Sequence, residues 1–153
     1  MLYVIGIGTN IGDKSLNINN ALKLLSGHLK ILKTSNIYKS KALLNINAPK
    51  KWDKDFFNLA ILLNFPSKPL ELLKILKSIE KKMGRELKNP RFSPRIIDFD
   101  ILIAENMVLQ ERGLQIPHRE LLNRDFALIP AAEVAPDFIH PITKKKLHMY
   151  ISI

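Results

Sequence analysis

The chain has 153 residues, 46% of them hydrophobic and 25% charged, with a formal net charge of +10 and no cysteine. That length suits one domain, residues 1–153, around a single core, and so apolar a composition excludes a disordered chain. The lack of cysteine excludes a disulfide framework, a thiolate nucleophile and Cys-ligated zinc or iron–sulfur sites, and no apolar run reaches the roughly 20 residues of a membrane-spanning helix.

The start, Met1-Leu2-Tyr3-Val4-Ile5-Gly6, has no charged region ahead of its apolar stretch, so no secretory signal is expected and the cytoplasm is the default. Residues 2–7 read as a buried strand entering a turn rich in glycine at Gly6, Gly8 and Gly12. Asp13 or Ser15 caps a helix to about Ser26, with Leu16, Ile18, Ala21, Leu22, Leu24 and Leu25 as its apolar stripe and Gly27 as its stop. Residues 29–38 alternate loosely and read as a second strand. Residues 40–55 are long for a connector and carry Asn45, Asn47, Pro49, Lys50, Lys51 and Asp53, so a functional loop is expected.

Residues 56–65 form a strongly apolar strand interrupted by Asn58. Pro66-Ser67-Lys68-Pro69 then opens a helix over 70–83, with Leu72, Leu73, Leu76 and Ile79 at helical spacing and Gly84 after it. A basic loop over 85–94 leads to a strand over 96–104, and the remainder reads as loops and short helices. Strand–helix–strand given twice is the order of a ferredoxin-like α+β domain. The second and third strands are joined without a helical crossover, which suits an antiparallel sheet with helices on one face and excludes a doubly wound parallel one.

The sharpest group of residues is Arg91-Phe92-Ser93-Pro94-Arg95-Ile96-Ile97-Asp98-Phe99-Asp100-Ile101-Leu102. Asp98 and Asp100 lie two apart on a strand, so both carboxylates project from one face with Cα atoms about 6.6–7 Å apart. Such a pair repels itself unless a cation compensates, and hard oxygen ligands in an incomplete set are how Mg²⁺ is held with nucleotide phosphates. The alternative is a surface strand whose polar face carries both aspartates idly. Arg85, Lys88, Arg91 and Arg95 precede the pair and Arg124 follows; guanidinium groups bind phosphate oxygens in pairs, although a solvated basic loop has the same composition. His118, in Ile116-Pro117-His118-Arg119, could donate to a phosphate or be a structural histidine.

Gly6-Ile7-Gly8-Thr9-Asn10-Ile11-Gly12 fails both the dinucleotide fingerprint and the P-loop ending, and a tight turn accounts for it better. Phe56 and Asn58 share a strand face, and a ring beside an amide would seat a flat heterocycle; a core Phe56 and an edge-facing Asn58 is the plainer alternative. The charge of +10 also fits a basic RNA-binding module on a ferredoxin-like scaffold. Such modules expect exposed aromatics on their central strands, where this chain has Asp98, Asp100 and Asn58.

Taken together, these blocks resemble 6-hydroxymethyl-7,8-dihydropterin pyrophosphokinases of folate biosynthesis. The resemblance runs over the opening glycine segment, Tyr38-Lys39-Ser40, Phe57-Asn58, Glu80 with Gly84-Arg85, Pro94-Arg95…Asp98-Phe99-Asp100, Pro117-His118…Arg124-Asp125-Phe126 and residues 127–136. It implies a ferredoxin-like fold and transfer of pyrophosphate from ATP to the pterin hydroxymethyl group, releasing AMP. Asp98 and Asp100 are then expected to hold two Mg²⁺ ions. Arg85, Arg95, His118 and Arg124 would act on the phosphates, while Glu80, Lys88 and Ile101 lie on the nucleotide side. Phe56 and Phe126 would sandwich the pterin, with Asn58 and the segment from Ser40 to Leu43 reading its edge. The loops over 40–55 and 85–94 are expected to act as lids. ATP and the dihydropterin are the expected partners of a monomer, with no nucleic acid and no membrane. Lys41, Leu87, Phe92, Ser93, Phe99 and Arg119 depart from the commoner family residues, as does Phe56, which stands where tyrosine is common.

Overall fold

A computed structural model describes residues 1–41, 47–52, 54–84, 95–111 and 113–151. In chain order it has β1 (Leu2–Thr9), α1 (Lys14–Ser26), β2 (Lys30–Thr34), β3 (Tyr38–Ser40), β4 (Phe56–Asn64), α2 (Pro69–Lys82), β5 (Asp98–Ala104), β6 (Leu109–Glu111), β7 (Leu114–Ile116) and α3 (Asp125–Val134), with short 3-10 turns at Lys50–Trp52 and Leu147–Tyr150. The main sheet runs β2-β4-β1-β5, with β3 also on β4, and every pairing is antiparallel. This is the ferredoxin-like arrangement that the element order predicts. No described helix is long and apolar enough to cross a membrane.

The helix boundaries follow local chemistry. Asp13 caps α1 by accepting the Leu16 N–H at 3.0 Å, Pro69 occupies the first turn of α2, and Gly84 takes φ +91° just beyond it. Leu72, Leu76 and Ile79 of α2 and Ile18, Ala21 and Leu25 of α1 pack on Tyr3, Ile5 and Ile7 of β1, with Leu59, Ile61 and Leu63 of β4 and Phe99 and Ile101 of β5. Each large aliphatic side chain buried there contributes about 1.5–3 kcal/mol.

Three sequence expectations change. The strand expected over 29–38 is two strands, because the Ser35 hydroxyl accepts the Ala60 N–H at 2.9 Å in place of a strand carbonyl. Gly6 and Gly8 lie inside β1 rather than in a turn; glycine within a strand marks close approach of other atoms, and of these three glycines Gly12 alone, at φ +69°, sits in left-handed backbone. Helices are not confined to one face. α3 covers the opposite face over Val4, Leu62, Leu102 and Ile103, and the chain before it holds the β6–β7 hairpin.

Candidate active site

The second sheet face is divided lengthwise. One end lies under α3, and the other opens into a cavity of about 790 Å³, a volume suited to a pair of small ligands. Its floor is set by register: Asn58 pairs with Gly8, which pairs with Asp98, and Ala60 pairs with Gly6, which pairs with Asp100. Because side chains alternate along a strand, Asn58, Asp98 and Asp100 rise on one face and leave bare backbone at Gly6 and Gly8 between them. Leu102 continues that face into the α3 core, joined there by Ile103 across a register shift between Val4 and Ile5 on the β1–β5 ladder, and its Cδ1 lies 3.1 Å from the place a Cβ of Gly6 would occupy.

On the acid side, Arg95 donates to Asp98 Oδ2 at 3.1 Å. Glu80 stands behind the pair, completely buried, accepting the Phe99 N–H at 3.0 Å on Oε2 with Lys77 Nζ 3.8 Å from Oε1. It fixes the strand segment between the two aspartates and does not itself line the cavity. Asp100 is open to cavity solvent, yet the protein crowded around its carboxyl, with negative Asp98 and Glu80 nearby, pushes its pKa up to about 7 against the opposing pull of Lys77 and Arg95. Among the described residues no group of three or more His, Asp or Glu forms a ready-made metal cage. Two hard carboxylates that repel one another on one face suit Mg²⁺ with its remaining ligands drawn from phosphate and water.

His118 and Arg124 line the same cavity. The His118 main chain is tied to β5 by its N–H to Leu102 O at 2.7 Å, and its Nδ1 accepts the Glu120 N–H at 3.0 Å. An accepting Nδ1 puts the neutral ring's proton on Nε2, making that atom a donor. Burial, with positive Arg124 next, lowers its pKa below the usual histidine value, while Glu120 and Asp98 oppose this. Arg124 Nε lies 3.6 Å from Glu120 Oε2, and its guanidinium lies 5.8 Å from the Phe126 ring centroid.

On the ring side, Phe56 of β4, Phe126 of α3 and Ser40 of β3 line the cavity. Asn58 donates from Nδ2 to both Tyr38 O at 3.1 Å and Ser40 Oγ at 2.8 Å. Both amide protons are thus taken, and Oδ1 is the acceptor left beside Gly8, 3.4 Å from where a Cβ would stand. α3 is strapped to this side by Glu133, which accepts from Tyr38 Oη and from Asn36 N at 2.7 Å.

The structure therefore brings Arg95, Asp98, Asp100, Ile101, His118 and Arg124 into one cavity with Ser40, Phe56, Asn58 and Phe126. Leu43, Arg85 and Lys88 lie outside the described residues, as do residues 42–46 and 53 of the first expected lid and the whole of the second. The cavity also takes in Lys41, from the segment expected to read the pterin edge, and Lys77, Gln110, Gln115 and Arg119, which sequence reasoning did not assign to a site. Lys77 is solvated-looking in an amphipathic helix, and the hairpin glutamines carry no motif; only the pairing of distant elements marks them.

Comparison with known proteins identifies the family. Residues 4–136 match the family model described as 7,8-dihydro-6-hydroxymethylpterin-pyrophosphokinase. The chain is 38% identical over 149 residues to an Aquifex aeolicus 2-amino-4-hydroxy-6-hydroxymethyldihydropteridine pyrophosphokinase, covering 94% of this chain and 86% of that protein. It is 37% identical over 142 residues to the Dictyostelium discoideum folic acid synthesis protein FOL1, covering 92% of this chain but only 20% of that longer protein. A crystal structure of Plasmodium falciparum HPPK-DHPS with pteroate superimposes with a TM-score of 0.71 at 17% identity, over 97% of this chain and 43% of that one, a likeness of fold. With a model match across most of its length and a relative of similar size, this chain belongs to the 7,8-dihydro-6-hydroxymethylpterin pyrophosphokinase family of folate biosynthesis.

Proposed function

We propose that this chain transfers the terminal pyrophosphate of ATP to the hydroxymethyl group of 6-hydroxymethyl-7,8-dihydropterin, giving AMP and the pterin diphosphate. The observation that carries this reading is the common level of Asn58, Gly8 and Asp98 across three strands. A seat for a flat heterocycle and a seat for a metal-bound polyphosphate adjoin over one bare glycine.

In this reading Phe56 and Phe126 stack on the pterin, and Asn58 Oδ1 accepts one of its N–H groups. Asp98 and Asp100 hold Mg²⁺, two ions with the triphosphate, and the metal supplies charge neutralisation at the phosphates. Arg95 and Arg124 bind phosphate oxygens as fixed positive forks. His118 donates from Nε2 as a neutral imidazole, adding a directed hydrogen bond to the developing charge. The hydroxymethyl oxygen attacks the β-phosphorus and gives up its proton to solvent, the bond to the α-phosphate bridging oxygen breaks, and AMP leaves carrying that electron pair. The chain's contribution is placement of two substrates in line, and among the described residues no strong general base faces the cavity on the ring side. Every group named comes from one chain, so the reading requires no second subunit, and a cytoplasmic monomer is consistent with it.

Nucleotide chromatography tests it. ATP, Mg²⁺ and the hydroxymethyl dihydropterin should yield AMP and no ADP, and Asp98→Ala or Asp100→Ala should abolish turnover in a folded protein. ADP as product, or full activity in either variant, would refute the reading.

A further inference from the structure

Asn10 follows the last residue of β1 and is completely buried. Its main-chain N–H donates to the Arg95 carbonyl at 3.1 Å, its side-chain Oδ1 accepts the Arg95 N–H at 2.7 Å, and its Nδ2 donates to the Lys54 carbonyl at 3.4 Å. The first two bonds reproduce the two-way exchange of an antiparallel hydrogen-bonded pair, with a side-chain amide oxygen standing in for a strand carbonyl. The last registered pair of the β1–β5 ladder is Gly8 with Asp98, so Asn10 extends that ladder to Arg95 by a different device. Its third bond reaches Lys54, two residues before Phe56 opens β4. A buried amide whose polar atoms all bind main chain at the two approaches to the cavity does more than fill the core, where an apolar side chain would serve without needing partners.

We propose that Asn10 is a positioning residue for the transfer reaction, acting through Arg95. By holding both the N–H and the carbonyl of Arg95, it fixes the backbone from which the guanidinium reaches Asp98 Oδ2 at 3.1 Å. That side chain is only 18% exposed, so a displaced backbone would move the cation out of register with the acid pair rather than let it re-aim through solvent. The inference rests on the reading of Arg95 as a phosphate-side cation.

A double-mutant cycle tests it. Asn10→Ala, Arg95→Ala and the double variant are assayed for kcat and for KM of ATP and of the pterin, with Asn17→Ala as a control. Asn17 holds Thr9 and Ile11 in the same turn through Nδ2 at 3.2 and 2.8 Å but touches neither approach. Asn10→Ala should lower kcat/KM for ATP by roughly 10- to 100-fold in the wild-type background and by less than about twofold once Arg95 is alanine. Asn17→Ala should lower Tm and leave kcat/KM within about twofold in both backgrounds. Equal losses from Asn10→Ala in both backgrounds, or a fall in Tm with unchanged kcat/KM, would overturn the inference while leaving the role of Arg95 intact. Wild-type turnover by Arg95→Ala would overturn both. Should the alanine variant not fold, Asn10→Ser enters the same cycle under the same criterion.

Discussion

Asn58 and Asp98 stand on either side of Gly8, one on β4 and one on β5, at the same level of the sheet. The amide of one and the carboxylate of the other face a strip of backbone with no side chain on it. A Cβ at Gly8 would lie 3.4 Å from Asn58 Oδ1 and 3.5 Å from Phe56 Cδ1, ordinary contact distances, so the apo fold can accept a methyl that a substrate lying there cannot.

Gly8→Ala should therefore leave Tm within a few degrees of wild type and raise the pterin KM by about tenfold, equivalent to about 1.4 kcal/mol. Thermal melts and steady-state kinetics decide it. An unchanged pterin KM would show that the ring does not use this floor.

Asp100 carries a cost in the metal-free protein. Its folded pKa is raised, to about 7 from 3.8, so the protonated form is favoured and the penalty appears as pH rises through that interval. Asp100→Asn should melt higher than wild type at pH 8, by about 2–4 °C per kcal/mol, with the gain shrinking to nothing near pH 4. Because the carboxyl is open to solvent in the cavity, screening should keep this gain to about 1 kcal/mol. The same variant should lose Mg-dependent turnover. A lower Tm at pH 8 would contradict the repulsion argument.

His118 should titrate below the usual histidine value, with Nε2–H as its neutral tautomer. Its lowered pKa means that the stability it contributes is present above about 6.5 and lost as pH falls through the folded value. Arg124→Ala removes the positive neighbour that stands second to burial among the causes, so it should move the His118 pKa upward. NMR titration of the ring nitrogens reads both; a wild-type pKa above about 6.5 would contradict the arrangement.

Asn58→Asp preserves shape but turns two donors into acceptors against Tyr38 O and Ser40 Oγ. The expected loss is about 1–3 kcal/mol of stability, measured by denaturant unfolding, together with a higher pterin KM. Unchanged stability would mean that the amide is not clamped as described.

The element order, the two apolar helix stripes and the shared face of Asp98 and Asp100 were legible from residue spacing, because helical and strand periodicities are local properties of the backbone. The same spacing located Phe56 beside Asn58. It misread Gly6 and Gly8 as a turn, since glycine ends a strand as readily as it lies bare beneath a ligand. Which of those occurs depends on what β4 and β5 place alongside.

The amino-acid order alone settled that a strand would carry two aspartates outward, that arginines would precede and follow it, and that two strand–helix–strand units would pack antiparallel. Pairing of distant strands decided the rest. Register set Asn58 and Asp98 on either side of Gly8, α3 closed one end of that face, and Asn10 bound to Arg95, 85 positions away. Such contacts join residues far apart in the chain, so no local pattern of hydrophobicity or charge encodes them.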